Sequence, residues 1–524
     1  MRDIRATIIS SISLAIIILS SLELQAESSQ LAKRYYNLGL KYSELGQWEE
    51  AIEAYTQSIE LNPNSAAAHH NLGVAYSQQG RWDKAAAEYK KAISLNPKFV
   101  SAYRNLGHVY AQQGLFGMAQ DAYKKVVELR PEQPEAHYNL ASMYLQTDMM
   151  HEAIAEYQKA IELNSKYTAA YQDLGVAYSQ QQRYTEAIYA YKKAISLDPN
   201  SASPYYNLGR VYSKQGQFDL AVDAYKQAIV LDPNFVDAYN GLGQILTRNH
   251  KFDEAVDAYK KALTLALNPP QSSSLDAKKS KSVLASAHYG LGRIYASQKR
   301  YDAAVAEFQR AIENAPHYSD AHYSLANVYA RQGRKEDAAE EMKIFRKLRQ
   351  NEPLMVQAEQ WAKRHPNDPE AFNNLGATYA ILGRFDQAIE AYKKALLLNP
   401  QLATTYYNLG VAYSKIDEFQ EASEAYKSAI RLNPNLAIAY NNLAWLYAQS
   451  DEDLDSALKL AQKAVELEQN SDYLDTLAWI YYKQRMYAKA EETIKQAIQM
   501  KPEEKLYRER LDEIKKDRKL DNEN

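Results

Sequence analysis

The chain has 524 residues, of which 46% are hydrophobic and 24% charged, an ordinary composition for a folded protein. Its formal net charge of −3 provides no overall basic footprint, which argues against binding of duplex nucleic acid. The absence of cysteine excludes disulfides, thiolate metal sites, cysteine nucleophiles and lipid attachment through cysteine.

Residues 1–26 differ from the rest of the chain and have the layout of a secretory signal peptide. Arg2 and Arg5 form a basic start, and an apolar run softened by serines follows over residues 6–22. The serines and the short core favour cleavage after Ala26. The alternative is an uncleaved membrane anchor formed by residues 6–22. In both cases we expect the remaining chain to lie outside the cytoplasm, as a periplasmic, secreted or outward-facing anchored protein.

The rest of the chain is repetitive. The string YYNLG at 35–39 returns as HHNLG at 69–73 and as YRNLG at 103–107, a spacing of 34 residues. A fixed period of this length is the signature of a repeat architecture, in which each unit buries its apolar face against its neighbours. The 524 residues therefore need not form several separate domains.

The second copy, residues 66–99, shows what each position does. His69, Gly73 and Tyr76 are spaced i, i+4, i+7, which predicts one helical face. Ala85, Tyr89 and Ala92 have the same spacing and predict a second helix. Gly73 and Ala85 are small, so the helices can approach closely. Gly80 stands between them, where a left-handed C-cap favours glycine. Pro97 ends the second helix.

Thirteen copies follow this pattern, judged by the small residue of the first helix. That residue is Gly39, Gly73, Gly107, Ala141, Gly175, Gly209, Gly243, Gly292, Ala326, Gly376, Gly410, Ala444 and Ala478. The pattern resembles the tetratricopeptide repeat (TPR) family from residue 32 to residue 502. The resemblance implies an all-α fold, a right-handed superhelical solenoid of antiparallel helix pairs. In this family the first helix of each repeat lines the concave surface.

Two interruptions divide the array. Copies one to seven span 32–269, copies eight and nine span 285–352, and copies ten to thirteen span 369–502. The insertion at 270–284, with its Pro-Pro and Ser-rich stretch, predicts a loop, and the joint at 353–368 predicts a lone helix over 353–366. Beyond the repeats we expect a capping helix over 503–517 and a disordered tail over 518–524.

No catalytic constellation is evident in the sequence. It contains no glycine-rich phosphate loop, metal-binding His-Glu-x-x-His or Gly-x-Ser-x-Gly elbow. Four histidines share one repeat position and are interpreted as core residues: His69, His137, His288 and His322. We therefore predict a non-enzymatic protein with no cofactor, no metal and no small-molecule substrate.

The concave face is the predicted binding surface. Numbering each copy from 1 to 34, the resemblance places positions 2, 5, 6, 9, 12 and 13 in the groove. Position 6 is asparagine in eight copies: Asn37, Asn71, Asn105, Asn139, Asn207, Asn374, Asn408 and Asn442. An amide can both donate to and accept from a peptide backbone. This series is similar to the asparagine ladder in the repeats of O-linked N-acetylglucosamine transferase, although asparagine here is also common in the family consensus.

Aromatic and basic residues complete the candidate surface. Position 5 contributes Tyr36, Tyr138 and Tyr206, which are suited to anchoring a partner. Arg104, Arg210 and Arg293, with Arg248 and Arg331, favour acidic partners, the alternative being ordinary solubilising charge. We predict a scaffold that binds a protein or peptide segment, serving envelope or secretion assembly. The alternative is an auxiliary subunit of a glycosyltransferase or of a polysaccharide or pilus export machine.

Overall fold

The structure is a computed structural model that describes residues 27–269, 277–450 and 453–523. Throughout these residues the chain forms α-helices joined by short turns, and no β-strand occurs in them. The chain divides into two compact units at Gln350 and Asn351. The prediction of an all-α array of helix pairs is confirmed. The signal peptide or anchor predicted for residues 1–26 lies outside the described residues.

Unit 1 contains copies one to nine. Its helices are α1 (27–44), α2 (Trp48–Leu61), α3 (Ala66–Gln78), α4 (Trp82–Leu95), α5 (Val100–Gln112), α6 (Phe116–Leu129), α7 (Pro134–Gln146), α8 (Met150–Leu163), α9 (Thr168–Gln180), α10 (Tyr184–Leu197), α11 (Ala202–Lys214), α12 (Phe218–Leu231), α13 (Val236–Arg248), α14 (Phe252–Leu267), α15 (Ala277–Ser297), α16 (Tyr301–Asn314), α17 (Ser319–Arg331) and the first part of α18 (Lys335–Arg364).

Unit 2 contains the second part of α18 and copies ten to thirteen. Its further helices are α19 (Pro369–Ile381), α20 (Phe385–Leu398), α21 (Ala403–Ser414), α22 (Phe419–Leu432), α23 (Ala437–Ser450), α24 (Leu454–Leu467), α25 (Ser471–Lys483), α26 (Tyr487–Met500) and α27 (Lys505–Glu523). In both units, odd-numbered helices up to α17 and from α19 to α25 are the first helices of their copies.

In eight copies the ring of a second-helix tyrosine lies closely against the glycine of the first helix. A Cβ atom added to Gly73 would lie 2.8 Å from Cε1 of Tyr89, so the ring occupies the space that a side chain would fill. Tyr89 is 1% exposed, and Ala85 on the same helix is fully buried. The turn between the helices contains Gly80 with φ +69°, which confirms the predicted left-handed cap.

Three predicted boundaries were wrong. Residues 277–284 are not a loop but the first two turns of α15, because Val283 and Leu284 are buried against Leu265 of the preceding helix. The remainder of that predicted loop, residues 270–276, lies outside the described residues.

The lone helix predicted over 353–366 is not separate, because α18 continues through Pro353 as one helix of 30 residues. The tail predicted to be disordered from residue 518 is helical as far as Glu523, since Arg518 on α27 binds Glu491 at 2.6 Å. Tyr507 and Ile514 of α27 are buried against the last repeat.

Candidate protein-binding surface

The first-helix face is the surface formed by positions 2, 5, 6, 9, 12 and 13 of the copies. Its accessibility varies strongly between copies. Asn37 and Asn374 are exposed, whereas Asn207 is only 9% exposed. The remaining predicted asparagines are half-buried: Asn71, Asn105, Asn139, Asn408 and Asn442. The predicted ladder is therefore not a uniform row of accessible amides.

Several ladder amides bind the preceding repeat. Asn71 Nδ2 donates to the Tyr36 hydroxyl at 3.0 Å, and Asn442 Nδ2 donates to the Tyr407 hydroxyl at 3.4 Å. Both contacts join position 5 of one copy to position 6 of the next, a sequence separation of 35 residues. A ladder amide in such a bond stabilises the contact between neighbouring repeats, which the sequence analysis did not predict.

His70 extends this network in copies one to three. Its Nδ1 lies 3.0 Å from Asn71 Oδ1, and its Nε2 lies 3.2 Å from Asn105 Nδ2. A neutral ring that donates through Nδ1 and accepts at Nε2 satisfies both contacts. Burial lowers the pKa of His70 below its ordinary value, which favours this neutral form.

Copy five replaces the ladder asparagine with Asp173. The hydroxyl of Tyr138 in copy four donates to Asp173 Oδ2 at 2.8 Å, in the same inter-repeat arrangement. Burial raises the pKa of Asp173, and the bond from Tyr138 partly opposes this shift. The position is therefore occupied by an internally bonded group.

The position-5 tyrosines pack within the array. Tyr206 lies 5.8 Å from the ring of Tyr225 and 4.9 Å from the ring of Phe235, measured between ring centroids. Tyr138 makes the corresponding contacts with Tyr157 and Tyr167. These rings are half-buried and packed against neighbouring rings, so they are not freely projecting anchors.

The arginines are the most accessible predicted residues. Five are exposed and make no ion pair with a described carboxylate: Arg104, Arg210, Arg248, Arg293 and Arg331. Arg210 and Arg293 each lie 5.8 Å from the ring of the position-5 tyrosine on their own helix, Tyr206 and Tyr289. These distances suit weak cation–π contacts that orient the guanidinium groups.

Arginines of copies six to eight act in pairs on the same tyrosines. Burial raises the pKa of Tyr225, and Arg210 and Arg248 both act in the opposite direction. Burial likewise raises the pKa of Tyr259, which interacts with both Arg293 and Arg248. Each of these two tyrosines therefore interacts with arginines from two neighbouring copies.

Charge on the first-helix face is unevenly distributed. In copies six to nine it carries Arg210, Lys214, Arg248, Arg293 and Arg331, against Asp237 and Asp320. Asp237 is paired with Lys279 at 3.0 Å. In copies one to five the face carries Lys33 and Arg104, against Glu44, Glu135 and Asp173. A chain with a net charge of −3 thus presents a locally basic stretch.

Unit 2 contains a polar cluster that the sequence analysis missed. Arg510 of α27 donates to Asp475 Oδ2 at 2.9 Å, and its guanidinium lies 4.8 Å from the ring of Trp479 and 5.7 Å from that of Trp445. Burial raises the pKa of Asp475 to about 6, and Arg510 partly opposes this. No signal in one repeat predicts the cluster, because three elements separated along the chain form it.

The four aligned histidines are core residues, as predicted. Nδ1 of His69 contacts Glu88 at 2.6 Å, and Nε2 contacts the carbonyl oxygen of Pro63 at 3.0 Å. His137 and His322 repeat both contacts, and His288 repeats the contact with glutamate. Each ring therefore supports its own helix pair. The described residues contain no cluster of three or more potential metal-ligating His, Asp or Glu side chains.

The described helices include none that is both long enough and apolar enough to cross a bilayer.

Family models of tetratricopeptide repeats match most of the chain. A model described as TPR repeat matches 39–80, 75–114, 178–216 and 209–249. Models described as tetratricopeptide repeat match 104–168, 156–189, 236–268, 289–353, 369–434, 407–472 and 471–504. The chain belongs to the tetratricopeptide repeat family. Membership of this family supports a role as a protein-interaction scaffold.

Solved structures of TPR proteins are similar to parts of the chain. A crystal structure of MamA protein is 32% identical, covering 33% of this chain and 93% of its own, with a TM-score of 0.31. YrrB, described as a TPR protein with an unusual peptide-binding site, is 26% identical over 36% of this chain and 96% of its own, with a TM-score of 0.32. A tetratricopeptide repeat protein from Parabacteroides merdae is 20% identical over 49% of this chain and 99% of its own, with a TM-score of 0.42. A search of curated proteins gave no match.

Proposed function

We propose that this TPR protein is a non-enzymatic scaffold that binds an acidic linear segment of a partner protein on the first-helix face of copies six to nine. The observation that carries the proposal is a set of four exposed arginines, here called the arginine row, none of which has an ion pair with a described carboxylate: Arg210, Arg248, Arg293 and Arg331. Guanidinium groups bind carboxylates in two-pronged geometry, which gives both attraction and orientation.

Two copies in this stretch lack the ladder amide. Copies seven and eight have Gly241 and Gly290 at position 6, where eight copies have asparagine. The rings of Tyr225 and Tyr259 fill the space beside these glycines and are themselves buried. An acidic segment would therefore bind the arginines here and not the position-6 residues.

In this proposal, the ladder asparagines contribute to binding only where their amides are accessible. Asn71 already donates to Tyr36 and accepts from His70, so only its second N–H and second lone pair remain for a peptide. Asn37 and Asn374 are exposed and make no hydrogen bond through their side chains to other described residues. The proposal therefore assigns the main binding energy to the arginine row and a supporting contribution to accessible asparagines.

Charge reversal tests the proposal. Linear peptides selected from a random library against the full chain should be enriched in Asp and Glu. Replacing Arg248→Glu and Arg293→Glu together should weaken the selected peptide on the order of a hundredfold, about tenfold for each reversed contact. Lys226→Glu with Lys261→Glu, an equal charge change at exposed positions of second helices, is the matched control.

An enriched peptide without acidic residues, or equal loss of affinity in both double variants, would contradict the proposal. Equal loss would mean that only the net charge matters. A loss confined to the Lys226 and Lys261 variant would assign binding to the second helices instead.

The site of action is proposed to be outside the cytoplasm, in envelope or secretion assembly. The signal-peptide layout of residues 1–26 supports this proposal. Mass spectrometry of the N-terminus after expression from the native gene tests it, with an N-terminus at Glu27 as the expected result. Retention of the full chain in the cytoplasmic fraction would overturn it.

A further inference from the structure

Helix α18 joins two second helices without a first helix between them. Its first part is the second helix of copy nine, where Glu341 contacts His322 at 2.5 Å. Its second part, residues 351–364, has the register of the second helix that precedes copy ten. Pro366 stands 34 residues before Pro400 and occupies position 32 of such a repeat.

A hydrogen bond supports this register. In regular copies, the side chain at position 25 binds the position-11 tyrosine of the next copy, as Gln158 binds Tyr178 at 3.0 Å and Gln309 binds Tyr329 at 3.1 Å. The Tyr379 hydroxyl donates to Glu359, again position 25, at 2.7 Å. The second part of α18 therefore makes the same position-25 hydrogen bond to α19 that a regular second helix makes to the next first helix.

The face that would meet the missing first helix is apolar and uncovered. In copy ten, positions 20, 24 and 27 of the second helix are Ala388, Tyr392 and Ala395, and none is more than 2% exposed. The equivalent residues of α18 are Leu354, Ala358 and Trp361. Leu354 is 48% exposed and Trp361 is 52% exposed.

The first helix of copy ten is also less covered than in other copies, as its position-7 leucine shows. The position-7 leucine is buried in eleven copies, each of which directly follows another copy. Leu375 in copy ten is half-buried, and Leu38 in copy one is 38% exposed. A groove of about 180 Å³ lies here between α18 and α19, and its lining includes Leu354, Trp361 and Leu375.

We propose that this groove, the vacant first-helix site, binds an amphipathic α-helix of a partner protein. The repeats of this chain show that a first helix occupies the equivalent place. The sizes of the side chains are reversed relative to a regular copy, from small-large-small to large-small-large. In a regular copy, the first helix places a glycine against the large side chain at position 24. Position 24 of α18 is the small Ala358, so the partner helix should place a large apolar residue against it. The partner residues that face Leu354 and Trp361 should be small.

The chain's own first helix provides a probe. A stapled peptide with the sequence of α21 carries Gly410 at position 8, where it normally faces the Tyr426 ring. The same peptide with Gly410→Leu presents a large residue to Ala358. Binding of both peptides to the full chain would be measured by fluorescence anisotropy. We expect the leucine peptide to bind at least about tenfold more tightly.

Variants of the chain locate the binding. Leu354→Glu and Trp361→Glu should each abolish binding of the leucine peptide. Ile381→Glu, on α19 at a residue 78% exposed and outside the groove lining, should leave it unchanged. Circular dichroism checks that each variant remains helical, and Trp361→Ser repeats the test without a new charge.

Three results would overturn the proposal. Equal affinity of the two peptides would remove the size-matching argument. Unchanged affinity in the Trp361→Ser and Leu354→Glu variants would place the peptide elsewhere. Concentration-dependent self-association of the native chain that Trp361→Ser abolishes would assign the groove to a second copy of the chain. None of these results depends on the arginine row of unit 1.

Discussion

Asp475→Asn should remove the pH dependence of stability between about pH 4 and pH 6 at the C-terminal end of unit 2. Asp475 is 8% exposed, its Oδ1 has no hydrogen-bond partner and its Oδ2 accepts from Arg510. Burial raises its pKa from 3.8 to about 6. Because the folded-state pKa is the higher one, the unfolded state loses its proton first as pH rises. Stability therefore falls between about pH 4 and pH 6, by about 3 kcal/mol at 1.36 kcal/mol per pKa unit.

Hydrogen exchange of α25 and α27 amides, corrected for intrinsic rates, measures this change locally. In the native chain, the protection of these amides should fall as pH rises through this window. In the Asp475→Asn variant their protection should not change with pH, because the asparagine amide still accepts from Arg510 but does not ionise. Asp472, whose pKa is lowered chiefly by its bond from Tyr507, acts with the opposite sign and below this window. A titration of the Asp475 carboxyl near 3.8, or an equal slope in Asp475→Asn, would refute the reasoning.

Three further predictions concern unit 1. Gly80→Ala should lower the free energy of unfolding by about 1 kcal/mol in chemical denaturation, through backbone strain alone, since φ is +69° and nothing lies within 4 Å of the added Cβ. Gln182→Gly, at φ +60°, should raise the free energy of unfolding by about 0.5 kcal/mol. Equal responses of the two variants would contradict this. His70 should titrate below 6.5 by NMR, so its network is intact above that pH and weakens as pH falls below it; a pKa above 6.5 would contradict this. Gly290→Ala should cost about 1–3 kcal/mol by thermal denaturation, because its Cβ would lie 2.3 Å from Cζ of Tyr259; an unchanged melting temperature would contradict this.

The regular part of the fold was predictable because its determinants are local. The period of 34 residues, the glycine facing a tyrosine ring and the proline after each second helix specify a helix pair wherever they occur. Pro97 and Gly80 therefore placed a helix end and a turn correctly. Physical constraints within one copy are sufficient for such assignments.

The irregular part depends on contacts that the local sequence does not reveal. Pro353 predicts a break, but the two parts of α18 are each held by packing, at His322 in copy nine and at Tyr379 in copy ten. These contacts outweigh the local cost of proline in a helix, about 3 kcal/mol. The last turns of α27 are similarly fixed by Glu491, a residue 27 positions earlier.

The candidate binding surface stays a prediction, and the structure shows how accessible each of its residues is. The five arginines are exposed, and none has an ion pair with a described carboxylate. The asparagines and tyrosines contact one another across repeats, as Asn71 and Tyr36 do, at a separation of 35 residues. Sequence alone does not distinguish an amide that faces a partner from one that faces the next repeat.

The most direct test of the scaffold proposal is a cross-linking map of a bound acidic peptide selected against the full chain. A photo-reactive group placed in turn at successive positions along the peptide would be cross-linked, and each attachment site identified by mass spectrometry. The account predicts attachment to the first helices α11, α13, α15 and α17, in that order or its reverse along the peptide. Attachment to the second helices α12, α14 and α16, or to sites without order along the array, would contradict it.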